Sequence, residues 1–297
     1  MSIPELDYDI LDIDYDDFPK DLMDLDLNMC RVDETELLKF TKLKSLDISY
    51  CGLYEIPKIP ENVEILVITG NFIKIIKNLP KGLKELYVEN NMVETIEQFP
   101  ESIEILNLDS NKIKNITIPK NVKDLSLVGN RISQLDLSEC KQLERLNINA
   151  NHLTHIGNNL KHDSGYLLLP DNLKCFKCSS NRITYVGDMP ITLEYFICDN
   201  NEIEALEILP KLKNLELLNC SNNLINKLYG FSSTLISLYC QNNKITHLDD
   251  LPSNLLYLNI LGNKIRADFT LPTRLAMLNN KYVTYGSNGY EENKNIQ

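Results

Sequence analysis

Residues 83–113 read LKELYVENNMVETIEQFPESIEILNLDSNKI, and this stretch holds one pattern twice, twenty residues apart. Written out, the pattern is L-x-x-L-x-L-x-x-N-x-I, with Leu83, Leu86, Val88, Asn91 and Val93 matched by Ile103, Leu106, Leu108, Asn111 and Ile113. Self-similarity at a fixed period near twenty predicts a repeat architecture in which each turn packs only on its neighbours. Working outward, the asparagine register is met at Cys30, Cys51, Asn71, Asn91, Asn111, Asn130, Asn151, Asn181, Asn201, Asn223, Asn243 and Asn263, and a thirteenth, degenerate turn begins at Leu275 and Leu278. The spacing is 19 to 22 residues, except between Asn151 and Asn181, where it is 30.

Each position has a physical task. The x-L-x-L-x core of the pattern alternates with period two, which predicts a short strand whose leucines point inward and whose variable residues face out. Stacked turns then make a parallel sheet, and thirteen of them at about 4.8 Å give a face of roughly 60 Å. The recurring Asn sits where the chain leaves the strand, and its amide has donors and an acceptor for backbone groups that the turn would otherwise bury unpaired. The asparagines therefore read as a structural ladder and not as ligand sites.

The return half of each turn is short and usually carries Pro just ahead of the next strand, as at Pro80, Pro100, Pro170, Pro190, Pro252 and Pro272. Proline there disfavours an α-helix and favours an extended or turn-like return. One short helix is expected near 33–40, where Asp33 is an N-cap candidate with Glu36 three residues on. The ten extra residues before Asn181 fall within GNNLKHDSGY and predict a polar loop on the return side, at about 154–170. Near the end, Asn280 occupies an inward position, so the ladder is expected to stop there and the chain to run into a tail over 286–297.

At this point the chain is seen to resemble a leucine-rich repeat protein from residue 19 to about 285. The short turns with Pro before the strand are similar to the bacterial effector subclass, which reads L-P-x-x-L-x-x-L-x-V-x-x-N-x-L. The bias toward Ile, Asn, Lys and Tyr is similar to that of repeat proteins of giant amoeba-infecting DNA viruses. The expected fold is an α/β-type solenoid that is mostly β. It has about 13 stacked turns, a parallel sheet on the concave face and thin, non-helical returns on the convex face. Some bacterial members carry a ubiquitin-ligase domain after the repeats; only a dozen residues follow the last turn here, so that activity is not expected to carry over.

Charge and cysteine content narrow the function. Residues 1–26 hold nine Asp and Glu5 against Lys20 alone, which accounts for most of the formal charge of -12. The first 18 residues read as an acidic cap, and a near-neutral body behind it is a poor partner for nucleic acid or an anionic membrane. No run of about 18 apolar residues is present, and MSIPELDYDI is acidic where a secretory signal is basic. An intracellular location is expected, and the eight cysteines fit core or ladder positions there.

Motifs that suggest chemistry have plainer explanations. Cys175 and Cys178 match C-x-x-C, but residues three apart on a strand face opposite ways. Cys178, Cys198, Cys220 and Cys240 share one inward position over four turns, roughly 14 Å from end to end, too far to hold one zinc ion. They read as small core residues offset by Phe176 and Phe196. His152, His155 and His162 with Asp163 read as solvated side chains, and Asn115-Ile116-Thr117 means little without a secretory route. No catalytic residue, cofactor or metal is expected.

The outward strand positions carry the sharper expectation. They place Tyr195, Ile197, Leu217, Tyr239, Tyr257 and Met277 on one face, with a second patch at Ile65, Val67, Tyr87 and Ile105 near Asp24, Asp26 and Asp47. A tyrosine-rich face with amide and hydroxyl groups suits a protein interface. The reading is a monomeric protein-interaction module without chemistry of its own. Two competitors stand beside it: a regulatory or targeting subunit of a phosphatase or ubiquitin ligase, and an enzyme in its own right.

Overall fold

The computed structural model describes residues 10–158, 165–248 and 250–265, and the backbone of Val283–Thr284. It divides into two compact units, residues 1–132 and 133–297. In the first, the three-residue strands Asp24–Asp26, Ser45–Asp47, Ile65–Val67, Glu85–Tyr87, Ile105–Asn107 and Asp124–Ser126 pair in parallel, in chain order. In the second, Arg145–Asn147, Cys175–Lys177, Tyr195–Ile197, Leu217–Asn219, Ser237–Tyr239, Tyr257–Asn259 and Val283–Thr284 do the same.

The register explains why the repeat folds this way. Central leucines align one for one, as in Leu46↔Leu66, Leu66↔Leu86 and Leu86↔Leu106, and all four are buried. Each fully buried leucine contributes about 2 kcal/mol from surface removed from water, an upper figure because unfolded chains are already partly compact. Inside the second unit Phe176 and Phe196 stack at 5.8 Å with planes 6° apart, and Cys178, Cys198, Cys220 and Cys240 are buried beside that column.

The asparagine ladder is present and binds turn to turn. Asn71 Oδ1 accepts the backbone N–H of Cys51 at 3.0 Å and of Leu53 at 2.9 Å, while its Nδ2 donates to Ile48 O and Ile68 O at 3.0 Å each. Cys51 donates its thiol to Leu27 O at 3.1 Å, whereas Cys30 reaches only Asn28 O of its own turn at 3.4 Å. The residue just before each ladder position lies in the left-handed region, from Gly70 at φ 67° and Asn90 at 54° to Asn242 at 55° and Gly262 at 65°. That conformation favours Gly and Asn, and both recur there.

The returns are thin. Pro80 O accepts the Leu83 N–H at 3.2 Å, and Pro60, Pro100, Pro119, Pro190 and Pro252 repeat the turn that sets up the next strand. Among the described residues, helix is limited to the four-residue Glu34–Leu37, capped by Asp33 Oδ1 on the Thr35 and Glu36 amides, and two single 3-10 turns at Tyr15–Asp17 and Leu209–Lys211.

The solenoid holds about eleven regular turns where thirteen are expected; the thirteen paired strands named above include the first, Asp24–Asp26, and the off-spacing last, Val283–Thr284. The stretch from Leu275 to Leu278 and Asn280 lies outside the described residues. The strand that pairs beside Tyr257–Asn259 is Val283–Thr284, with Leu258↔Val283 in register, so the last paired strand lies several residues later than the repeat spacing predicts. The 286–297 tail also lies outside the described residues.

The 30-residue spacing turns out to hold more than a loop. Tyr166–Leu168 is itself a strand, inserted in the return-side ladder of the second unit between Leu135–Asp136 and His155–Ile156. It is anchored at both ends. Gly165 O accepts from the Thr154 and His155 amides, and Asn158 exchanges two bonds of 3.1 Å with the backbone of Leu169.

Candidate protein-interaction face

The open face of the second unit carries two rows of outward side chains. Register places Cys175, Tyr195, Leu217, Ser237 and Tyr257 in one row and Lys177, Ile197, Asn219, Tyr239 and Asn259 in the other. Tyr195 and Tyr257 are 38% and 39% exposed, whereas Ser237 between them is buried at 8%. Two aromatic posts about three strand spacings apart, roughly 14 Å, thus stand over a floor of Leu217 and Ser237. Ile197, Leu217 and Tyr239 are half-buried. Met277 lies outside the described residues.

Below these rows the face is polar and ordered. Asp199 Oδ1 accepts from Ser179 Oγ at 2.7 Å and from Asn219 Nδ2 at 3.1 Å, and Ser221 Oγ donates to Asn219 Oδ1 at 2.7 Å. These bonds fix side chains before any partner arrives, which limits the entropy lost on docking.

In the first unit Ile65, Val67, Tyr87 and Ile105 are all half-buried and lie on adjacent strands. Tyr87 donates its hydroxyl to Glu85 Oε2 at 2.9 Å, and burial together with that carboxylate pushes its pKa up to about 12. Nearby, Glu89 accepts from Thr69 Oγ1 at 2.8 Å and Asn107 Nδ2 at 2.5 Å, while burial raises the carboxyl pKa of Asp109. This patch is smaller and more closely engaged with its own polar neighbours.

One feature of the rim was not anticipated from sequence. The residue two before each strand centre alternates in charge through the first unit as Lys44, Glu64, Lys84, Glu104 and Lys123. Glu64 bridges Lys44 and Lys84 at 2.5 Å each, and Lys123 meets Glu104 at 2.6 Å. In the second unit the row runs Glu144, Lys174, Glu194, Glu216, Ile236 and Leu256, with Lys174 paired to Glu144 at 3.1 Å. The alternation fails at Glu194 and Glu216, which are successive on neighbouring strands beside Tyr195. The signal lies in the sequence spacing, one position outside the alternating strand residues.

The remaining motifs resolve as structure. Cys175 is half-exposed and Cys178 buried, as alternation requires, and all eight cysteines are free thiols. His155 packs on Tyr185 with ring centroids 6.1 Å apart, His152 is exposed, and His162 and Asp163 lie outside the described residues. No group of three or more His, Cys, Asp or Glu among the described residues is placed to hold a metal ion. Clefts of about 510 and 530 Å³ occur on the return side of the first unit, around Phe99 and Glu101, far from the tyrosine rows in sequence. No helix among the described residues is long and apolar enough to cross a membrane.

Parallel strands with a buried Asn ladder and thin returns define the leucine-rich repeat fold, in the style of bacterial effector repeats. Among solved structures, YopM from Yersinia enterocolitica WA-314 superposes with a TM-score of 0.64 at 21% identity, covering 90% of this chain and 69% of that one. The functional domain of InlJ from Listeria monocytogenes, described as including a cysteine ladder, gives 0.68 at 22% identity over 86% of this chain and 55% of that one. The Toll–Spatzle complex of Drosophila gives 0.62 at 20% identity over 83% and 42%. No protein-family model and no curated protein matches the chain.

Proposed function

We propose that this chain is a non-catalytic module that binds a partner protein on the sheet face of its second unit. The observation that carries the reading is the row Tyr195, Leu217, Ser237, Tyr257, in which exposed aromatic rings flank a sunken floor of Leu217 and Ser237. Tyr supplies large contact area with a polar end, and partly exposed aromatic patches with a polar rim are how protein interfaces are built. The half-buried Ile65, Val67, Tyr87 and Ile105 offer a second, weaker contact surface. That a solved neighbour is a complex of Toll with Spatzle is consistent with this fold serving protein recognition.

The module is read as a monomer acting inside the cell, which eight cysteines outside any disulfide favour. Neither nucleic acid nor a membrane is its partner on this reading, since the charge of -12 repels polyanions. Affinity purification from the native cell, with Tyr195, Tyr239 and Tyr257 replaced together by Ala, tests it. Loss of the captured protein is the expected outcome, and unchanged capture removes this face. Recovery of an active phosphatase or ubiquitin ligase would make the module a targeting subunit.

A further inference from the structure

We infer that the partner meets this face through a basic segment, with an Arg or Lys seated against Glu194 and Glu216 and an apolar side chain lowered between Tyr195 and Tyr257. The inference rests on the sheet-face reading and adds the partner's chemistry. Through the first unit, each acidic rim residue has a lysine beside it, and Glu64 has two. In the second unit Lys174 flanks Glu194 in the row but pairs with Glu144 at 3.1 Å, and neither Glu194 nor Glu216 forms an ion pair among the described residues. Both are half-buried, and backbone pairing sets them on adjacent strands, with the Glu216 N–H on Glu194 O at 2.8 Å. Two neighbouring carboxylates that share no ion-pair partner repel one another, so a cation between them is favoured in the bound state.

The surroundings define the rest of the occupant. Tyr195 donates its hydroxyl to Glu216 Oε2 at 3.2 Å, which joins the acidic rim to the aromatic post. The rim continues as Ile236, 37% exposed, and Leu256, half-buried. A cationic group therefore lies next to apolar contacts on two sides. Arg suits this better than Lys, because its planar guanidinium donates to two carboxylates and stacks on a tyrosine face.

The test pans a phage-displayed library of random dodecapeptides on the full chain and measures synthetic copies of the strongest binder by fluorescence polarisation. Sequences pairing Arg or Lys with a nearby Leu, Ile, Met or aromatic residue are expected. E194Q/E216Q should weaken the binder by roughly tenfold, as two partly exposed ion pairs warrant. Raising NaCl should weaken it too, and E202Q on the exposed return side should leave it unchanged. Binders without a basic residue, an affinity that E194Q/E216Q leaves within about twofold, or no enrichment at all would overturn the inference. Binding lost with Y195A/Y257A but kept with E194Q/E216Q overturns the charge inference while sparing the face. Binding kept through both sets overturns the sheet-face reading as well.

Discussion

Asn91 Oδ1 accepts the backbone N–H of Ile73 at 3.0 Å, reaching back from its own turn to the one before. Its Nδ2 donates to Ile68 O at 2.9 Å and Val88 O at 3.2 Å. Those carbonyls have other partners, since Asn71 also donates to Ile68 and Asn111 to Val88. The Ile73 amide has only Asn91 within its reach in the ladder. Asn91→Ala should therefore leave one buried N–H unsatisfied and cost about 2–3 kcal/mol, read as a lowered urea midpoint. Asn91→Asp should cost at least as much near neutral pH, because a buried carboxylate would face two carbonyl oxygens. A midpoint that neither change moves would mean that the ladder does not hold the turns together.

Thiol chemistry gives a second expectation. Cys178, Cys198, Cys220 and Cys240 are fully buried, and burial raises each thiol pKa, that of Cys240 to about 12. Cys51 and Cys140 are also buried, leaving Cys30 and Cys175 half-exposed. Since the thiolate is the reactive form, an aromatic disulfide reagent should modify at most those two in the native protein and all eight in denaturant. Rapid reaction of more than two would contradict the placement of the thiol column.

Acid titration probes the charged rim. The Glu64 carboxylate is held by the Lys44 and Lys84 ammonium groups, which lower its pKa to about 2 from an ordinary 4.5. A depressed folded-state pKa stabilises the fold above the unfolded value, so this contribution is complete above about pH 4.5 and fades as pH falls toward 2. Carbon-13 NMR of the carboxyl should show Glu64 titrating last among the glutamates. Lys44→Met with Lys84→Met should return it toward the ordinary value, and an unchanged titration would break the assignment.

What the sequence made legible follows from periodicity. Leu83, Leu86 and Val88 alternate inward because strands alternate, and that same logic placed Tyr195 and Tyr257 outward without coordinates. It could not place Ser237, which faces outward yet is buried under its neighbours, because burial on a sheet face depends on the size of adjacent side chains. Nor could it find the Tyr166–Leu168 strand. YLLL matches the repeat poorly, and its pairing with His155–Ile156 is a contact made possible only by the intervening return. The Glu194 and Glu216 pair was visible as spacing, yet its meaning depends on where the neighbouring lysines reach.

The most direct measurement places a photo-crosslinking benzoylphenylalanine at Tyr239 on the sheet face, or at Tyr229, 42% exposed on the return side, in the native cell. Irradiation should yield a protein adduct from position 239 and none from 229. An adduct from 229 with none from 239 would contradict the account.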